Sequence, residues 1–176
     1  RKGNVEISVD DKNIFYFSKI KIERKKEIWL YYDCAGVQKN NGYLQFEHDI
    51  CCEDSIDRYY IVTDRMQTEN SVFRKYYVRF GSKKHRMLLS KCSKIITAYI
   101  EEANLFPYKP VEYEKYAKDF DFEIIYLQHG VLHAVMPWKY ARERIQADRI
   151  VVSTEEEAKL YRENGFKEKD LIKTGM

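Results

Sequence analysis

Apolar and polar residues alternate through VEISVDDKNIFYFSKIKIER on both sides of the polar tetrapeptide DDKN, residues 10–13. A period of two is the side-chain spacing on one face of a strand, so the stretch predicts a β-hairpin with a four-residue turn. The cationic KIKIERKK that follows leaves little to bury on either face and reads as a strand exit or linker. From residue 27 the pattern changes to short apolar runs separated by stretches of helical spacing. EIWLYYD (27–33) and RYYIVTD (58–64) predict buried strands, and GYLQFEHDICC, which Asn41 and Gly42 open, predicts an amphipathic helix between them. The series continues with a helical turn at HRMLLSKC, strands at KIITAYI (94–100) and EIIYLQ (123–128), a helical segment after Pro137 and a strand at DRIVVST (148–154). Thr154 and Glu157 form the pattern of a capping box for a last helix, which Asn164 and Gly165 stop before Phe166. Strands alternating with helices on this scale predict an α/β fold with a mostly parallel sheet covered by helices. Residues 1–26 then form a β-hairpin appendage and linker, and residues 27–176 one domain.

Composition agrees with a folded chain. At 176 residues there is room for one core plus a small appendage, and 44% hydrophobic residues with 15 Tyr and 9 Phe exclude a disordered segment. No stretch approaches the run of about 20 apolar residues that spans a bilayer, and the start has no signal-peptide pattern, so the expectation is a soluble or peripheral protein. Cys34, Cys51, Cys52 and Cys92 show no C-x-x-C spacing, so buried thiols in a reducing cytosol are the expectation, with metal binding by a scattered Cys/His set as the alternative that no paired-ligand spacing supports.

The net charge of +3 conceals a segregation. Residues 71–100 contain no Asp or Glu and eight cations: Arg74, Lys75, Arg79, Lys83, Lys84, Arg86, Lys91 and Lys94. Residues 101–123 contain seven acids against three lysines. The basic block suits an anionic lipid surface, a polyphosphate chain or nucleic acid. It equally suits a solvated face balanced by the acidic stretch.

In an open parallel sheet, ligands bind outside the carboxyl ends of the strands, where loops and helix N-termini converge. IIYLQHGVLHA places His129 at such an end, with Gln128 before it and Gly130 after it. A neutral imidazole there is suited to accept a proton from an attacking hydroxyl near pH 7. The pattern alone also describes a hydrogen-bonded structural histidine. His133 follows on the same turn, while His48 and His85 read as surface residues. No Ser/His/Asp set, no G-x-x-x-x-G-K-[ST] loop and no G-x-G-x-x-G after a strand is present.

Four stretches together resemble the catalytic region of the CDP-glycerol glycerophosphotransferases. They are WLYYDCAGVQKNNGYLQFEHDI with RYYIVTD, then FGSKKHRMLLSKCSKIITAYI, then YLQHGV, and finally DRIVVSTEEEAKLYRENGF with LIKTGM. The resemblance covers residues 27–176 and implies a Rossmann-like, acceptor-side half of a GT-B enzyme, the donor-binding half being absent. Such enzymes build teichoic acids and capsule polymers at the cytoplasmic face of bacterial membranes, as peripheral proteins. The resemblance implies His129 as general base and Gln128, Gly130, His133, Asn41 and Gly42 as substrate-binding residues. Asn41 and Gly42 have two readings, as backbone N–H donors to acceptor phosphate at a helix N-terminus and as an N-cap and turn.

The resemblance also implies a CDP-glycerol or other CDP-polyol donor, no cofactor or metal, a polyol-phosphate polymer or lipid-linked acceptor, and no nucleic acid. It assigns no oligomeric state. Lys83, Lys84 and Arg86 become the docking residues for membrane or polymer. The chain departs from the best-known form of the family's motif, which has Trp before the His and Thr-Pro-Leu-Lys after the Gly; here Gln128 precedes and Val131-Leu132-His133 follow, which leaves open whether His133 or the Lys139 region substitutes for the lysine. Two rival readings use the same residues: a non-catalytic module binding an anionic polymer or membrane, and the acceptor half of a nucleotide-sugar glycosyltransferase.

Overall fold

The structure, a computed structural model, describes residues 26–34, 40–63, 71–101, 105–128 and 141–174, together with the backbone of residues 4–9 and 15–21. The DDKN turn, His129, Gly130, His133 and residues 138–140, Lys139 among them, lie outside the described residues; of the helical segment expected after Pro137, residues 141–147 are described and form a turn, with Arg144 N–H bonded to Ala141 C=O, rather than a helix. The hairpin is present as β1 (Asn4–Val9) paired antiparallel with β2 (Phe15–Lys21) in a sheet of its own.

The main sheet has seven strands, all parallel: β3 (Ile28–Tyr32), β4 (Asp57–Val62), β5 (Tyr77–Arg79), β6 (Lys94–Thr97), β7 (Glu123–Tyr126), β8 (Arg149–Val152) and β9 (Leu171–Lys173). Their spatial order is β5-β4-β3-β6-β7-β8-β9. Among the described residues four helices flank it: α1 (Asn41–Asp49), α2 (Lys83–Leu89), α3 (Pro110–Ala117) and α4 (Glu155–Glu163). This is the α/β fold with a parallel sheet expected from the alternation, and it is Rossmann-like, as the resemblance implies. The chain runs outward from β3 to β5, returns to β6 beside β3, and then runs outward the other way. The reversal puts a crevice at the carboxyl ends of β3 and β6.

Alternate residues of each strand serve opposite faces. Leu30 and Tyr32 of β3, Ile61 of β4, Ile95 of β6, and Ile150 and Val152 of β8 pack with Leu88 and Leu89 of α2 and Ala158 and Tyr161 of α4. Tyr31, Tyr60 and Ile96 face the other way, against Tyr43 and Phe46 of α1. Burial of each leucine, isoleucine, valine or phenylalanine among them contributes about 1.5–3 kcal/mol. The second face is aromatic. Phe46 stacks on Tyr60 at 5.6 Å and meets Tyr31 edge-on at 5.5 Å. Rings carrying hydroxyls can be buried there because Tyr31 and Tyr60 donate to Asp49 and Asp33.

The last helix follows its local chemistry. The Thr154 hydroxyl accepts from the Glu157 N–H, and the Glu157 carboxylate accepts from the Ser153 N–H. At the other end Gly165 has φ +96°, Phe166 N–H bonds Tyr161 C=O, and Gly165 N–H bonds Arg162 C=O, with Phe166 edge-on to Tyr161. That is a Schellman stop with its hydrophobic contact.

His85 corrects the sequence expectation of a surface histidine: it is fully buried. The Gly81 N–H donates to its Nδ1 at 3.0 Å, which leaves the proton on Nε2 to donate to the Tyr32 hydroxyl at 2.8 Å. Burial, with Arg86 nearby, lowers its pKa to about 4, so the ring is neutral in the fold. An unfolded histidine titrates near 6.5. The folded value is depressed, so the full stability is present above about pH 6.5 and is lost as pH falls towards about 4, by roughly 3 kcal/mol from this group. Urea unfolding at about pH 7 and about pH 4.5 should show the loss, and His85→Gln, which does not titrate, should have a shallower pH slope. An identical slope in the variant would assign the loss to other groups.

Candidate functional site

The crevice is organised by one carboxylate. Asp33 follows β3 directly, is buried, and accepts from the Gly42 N–H at 3.1 Å, the Tyr43 N–H at 2.9 Å and the Tyr60 hydroxyl at 3.0 Å. Burial raises its pKa, against the hydroxyl of Tyr60 and the backbone N–H groups of Tyr43, Gly42 and Asn40, which favour the charged form. Those N–H groups are the orphan donors of the first turn of α1, where the helix dipole also favours a negative charge.

Asn40 is the N-cap of α1, and its side-chain oxygen accepts from the Asn41 N–H at 2.7 Å. The first-turn N–H groups are therefore occupied within the chain, and the expected backbone contact of Asn41 and Gly42 with an acceptor phosphate does not fit this geometry. Asp33 holds the place an anion would take. Asn41 is the first residue of the helix rather than its cap. Gly42 has a packing role: a Cβ there would overlap the Tyr32 carbonyl oxygen and lie 2.6 Å from Asp33 Oδ1.

The side chains of Asn40 and Asn41 cross the crevice instead. Asn40 Nδ2 donates to the Tyr99 hydroxyl at 3.0 Å, just past β6. Asn41 Nδ2 donates to the Gln128 carbonyl at 2.9 Å, just past β7. Tyr99 is held by a turn in which Thr97 Oγ1 accepts from the Tyr99 N–H at 3.0 Å and donates to its carbonyl at 2.6 Å. The helix start thus ties together the ends of β3, β6 and β7.

Gln128 is the unusual residue of this cluster. Its φ of +61° is left-handed, a region that side-chain-bearing residues enter at a cost. It is buried, its Nε2 donates to the Val151 carbonyl at 2.8 Å, and its Oε1 is buried without a hydrogen-bond partner. A strained backbone and an orphaned polar atom in one residue are features that cluster at functional positions. Neither is visible in the sequence, where Gln128 ends an apolar run and only the family resemblance singles it out, as a substrate-binding residue.

No family model matches this chain, and no curated protein matches it.

The basic block does not form one surface. Lys94 begins β6, pairs with Glu123 at 3.4 Å and lies over the Trp29 ring at 5.0 Å, at the amino edge of the sheet. Arg79 ends β5, at the carboxyl edge. Lys83, Lys84 and Arg86 are exposed on α2, with Lys84 over Tyr59 and Arg86 over Tyr108, both at 4.8 Å. The half-exposed Met87 adjoins them. Among the described residues no helix is long and apolar enough to cross a membrane.

The thiols also differ from expectation. Cys92 is buried, which pushes its pKa up to about 12, but Cys51 and Cys52 are exposed and Cys34 is intermediate.

Proposed function

We propose that this domain is the acceptor-side half of a GT-B transferase. It would move glycerol phosphate, or a related polyol phosphate, from a CDP-activated donor to the hydroxyl end of a teichoic-acid-like or capsule polymer. The observation that carries the reading is the strained, clamped Gln128 at the carboxyl end of β7, immediately before His129 in the chain. Its carbonyl is gripped by Asn41 and its amide by Val151, so the exit of the chain from the sheet is fixed at the crevice where ligands of this fold class bind. The four stretches of family resemblance run through the same elements.

In this reading His129 accepts the proton of the polymer's terminal hydroxyl while that oxygen attacks the β-phosphorus of the donor. One P–O bond forms in line, the P–O bond to CMP breaks, and CMP leaves with the electron pair. Donor binding and stabilisation of the phosphoryl charge fall to a second Rossmann-like half. Lys83, Lys84 and Arg86, with Met87 beside them, supply a cationic surface with an apolar side chain, suited to an anionic polymer or to the inner face of a bacterial membrane.

The test is CMP release from CDP-glycerol and from CDP-ribitol by the natural protein that carries this domain. His129→Ala is expected to lower the rate by about 10²–10⁴-fold, the usual contribution of a general base. A folded protein that releases no CMP from either donor, or one indifferent to His129→Ala, ends the transferase reading with His129 as base. Polymer or vesicle binding that persists without CMP release, and is lost on neutralising Lys83, Lys84 and Arg86, supports the binding-module reading.

A further inference from the structure

We infer that the C-terminal end of α1 is a site for a borderline-soft divalent cation of the zinc type, with His48, Asp49 and Cys52 as ligands. One ligand atom from each, a ring nitrogen, a carboxylate oxygen and a thiol sulfur, lies within 4.8 Å of the other two. The site is at the opposite end of α1 from the crevice, about 13 Å along the helix, and is independent of the transferase reading.

Local structure produces the grouping. His48 and Cys52 are four residues apart and so come to the same side of the chain where the helix ends. The Cys51 N–H bonds the His48 carbonyl and the Cys52 N–H bonds the Asp49 carbonyl, which curls the chain back over the last turn. The Cys52 thiol is thereby held 4.0 Å from the His48 carbonyl.

Asp49 is the fixed member. It is buried, its Oδ2 accepts from the Tyr31 hydroxyl at 2.7 Å, and its Oδ1 accepts from Gln45 Nε2 at 2.9 Å. Outer hydrogen bonds of this kind orient a ligating carboxylate. His48 Nδ1 already sits 3.0 Å from Oδ1, and both His48 and Cys52 are exposed. Bonds of about 2.0–2.3 Å in a tetrahedral zinc site put ligand atoms roughly 3.5 Å apart. Small movements of two exposed side chains reach that spacing, and water completes the coordination.

Charge balances as well. Binding releases the Cys52 thiol proton to solvent, so that one thiolate and one carboxylate face a dication with a neutral imidazole. Arg58, beside Tyr31, is engaged by both carboxylate oxygens of Asp54, at 2.7 and 2.6 Å. Mixed nitrogen, oxygen and sulfur donors select a zinc-like ion over magnesium or calcium, which take oxygen.

Co²⁺ titration of the whole chain, kept reduced by a non-thiol reductant, tests the site. The wild type should develop a thiolate-to-cobalt charge-transfer band that Zn²⁺ displaces. Cys52→Ser should lose the band, His48→Ala should weaken binding at least tenfold, and Cys51→Ser should keep both band and affinity. All three changes are at exposed positions, and far-ultraviolet circular dichroism checks that each variant is folded. Absence of the band in the wild type overturns the proposal. So does its survival in Cys52→Ser, or its loss in Cys51→Ser.

Discussion

Gly42→Ala is expected to destabilise the protein by about 3 kcal/mol or more, read as a fall in the urea midpoint without a change in slope. In an exposed helix interior the same substitution stabilises by about 1 kcal/mol, because glycine loses more backbone freedom than alanine. Here the added methyl would overlap the carbonyl oxygen of Tyr32 and press on the carboxylate of Asp33. The first of these is backbone in a central strand, paired on both sides with β4 and β6, and cannot rotate away. The first turn of α1 must lift instead, breaking the bonds from the Gly42 and Tyr43 N–H groups to Asp33 and the reach of Asn41 to the Gln128 carbonyl. Steric overlap therefore outweighs propensity, and the sign of the change decides the matter. A stabilised Gly42→Ala protein would mean that the turn does not pack on β3 as described.

The core strands were legible because parallel strands are buried on both faces and read as continuous apolar runs. WLYY, YYIV, KIIT and EIIY all fell within strands. β5 was missed because it is a three-residue edge strand with only Val78 buried, among cations. α3 was missed because its apolar residues are largely at the surface, Val111 being 80% exposed. Its start was nonetheless written in the sequence. Pro110 opens the helix, and Glu112 accepts from the Lys109 N–H at 3.1 Å.

The same contrast holds for single residues. His85 shares a helical face with Leu88 and Leu89, a spacing that points inward even though Lys83, Lys84 and Arg86 surround it. No paired-ligand motif joins His48 and Cys52 in the sequence; the grouping depends on the curl after α1. In the sequence Asp33 is no more than the last residue of the predicted strand EIWLYYD, and Gln128 stands out only through the family resemblance. What distinguishes them, a carboxylate enclosed by a helix start and a residue in left-handed conformation, arises only when α1 packs across the ends of β3 and β7.

Asp33→Ala should expose how much of the crevice depends on that packing. The change leaves the Gly42 N–H, the Tyr43 N–H and the Tyr60 hydroxyl without the acceptor they share. A buried donor left unpaired costs about 1–3 kcal/mol, so with three donors the expected loss is at least about 3 kcal/mol, a large part of the stability of a domain this size. Asp33→Asn should cost much less. Its amide oxygen can serve Tyr43 and Tyr60 together, only the Gly42 N–H then faces an amide group, and the burial cost of the charge disappears. Equilibrium urea unfolding of the two variants separates the hydrogen-bonding role from the charge. Equal losses in Asn and Ala would show that the negative charge at the helix N-terminus, rather than the number of acceptors, holds α1 in place. The Ala variant should in addition lose amide-exchange protection at Gly42 and Tyr43 before the rest of the sheet opens, because the first turn of α1 is joined to the β3 end through those two bonds.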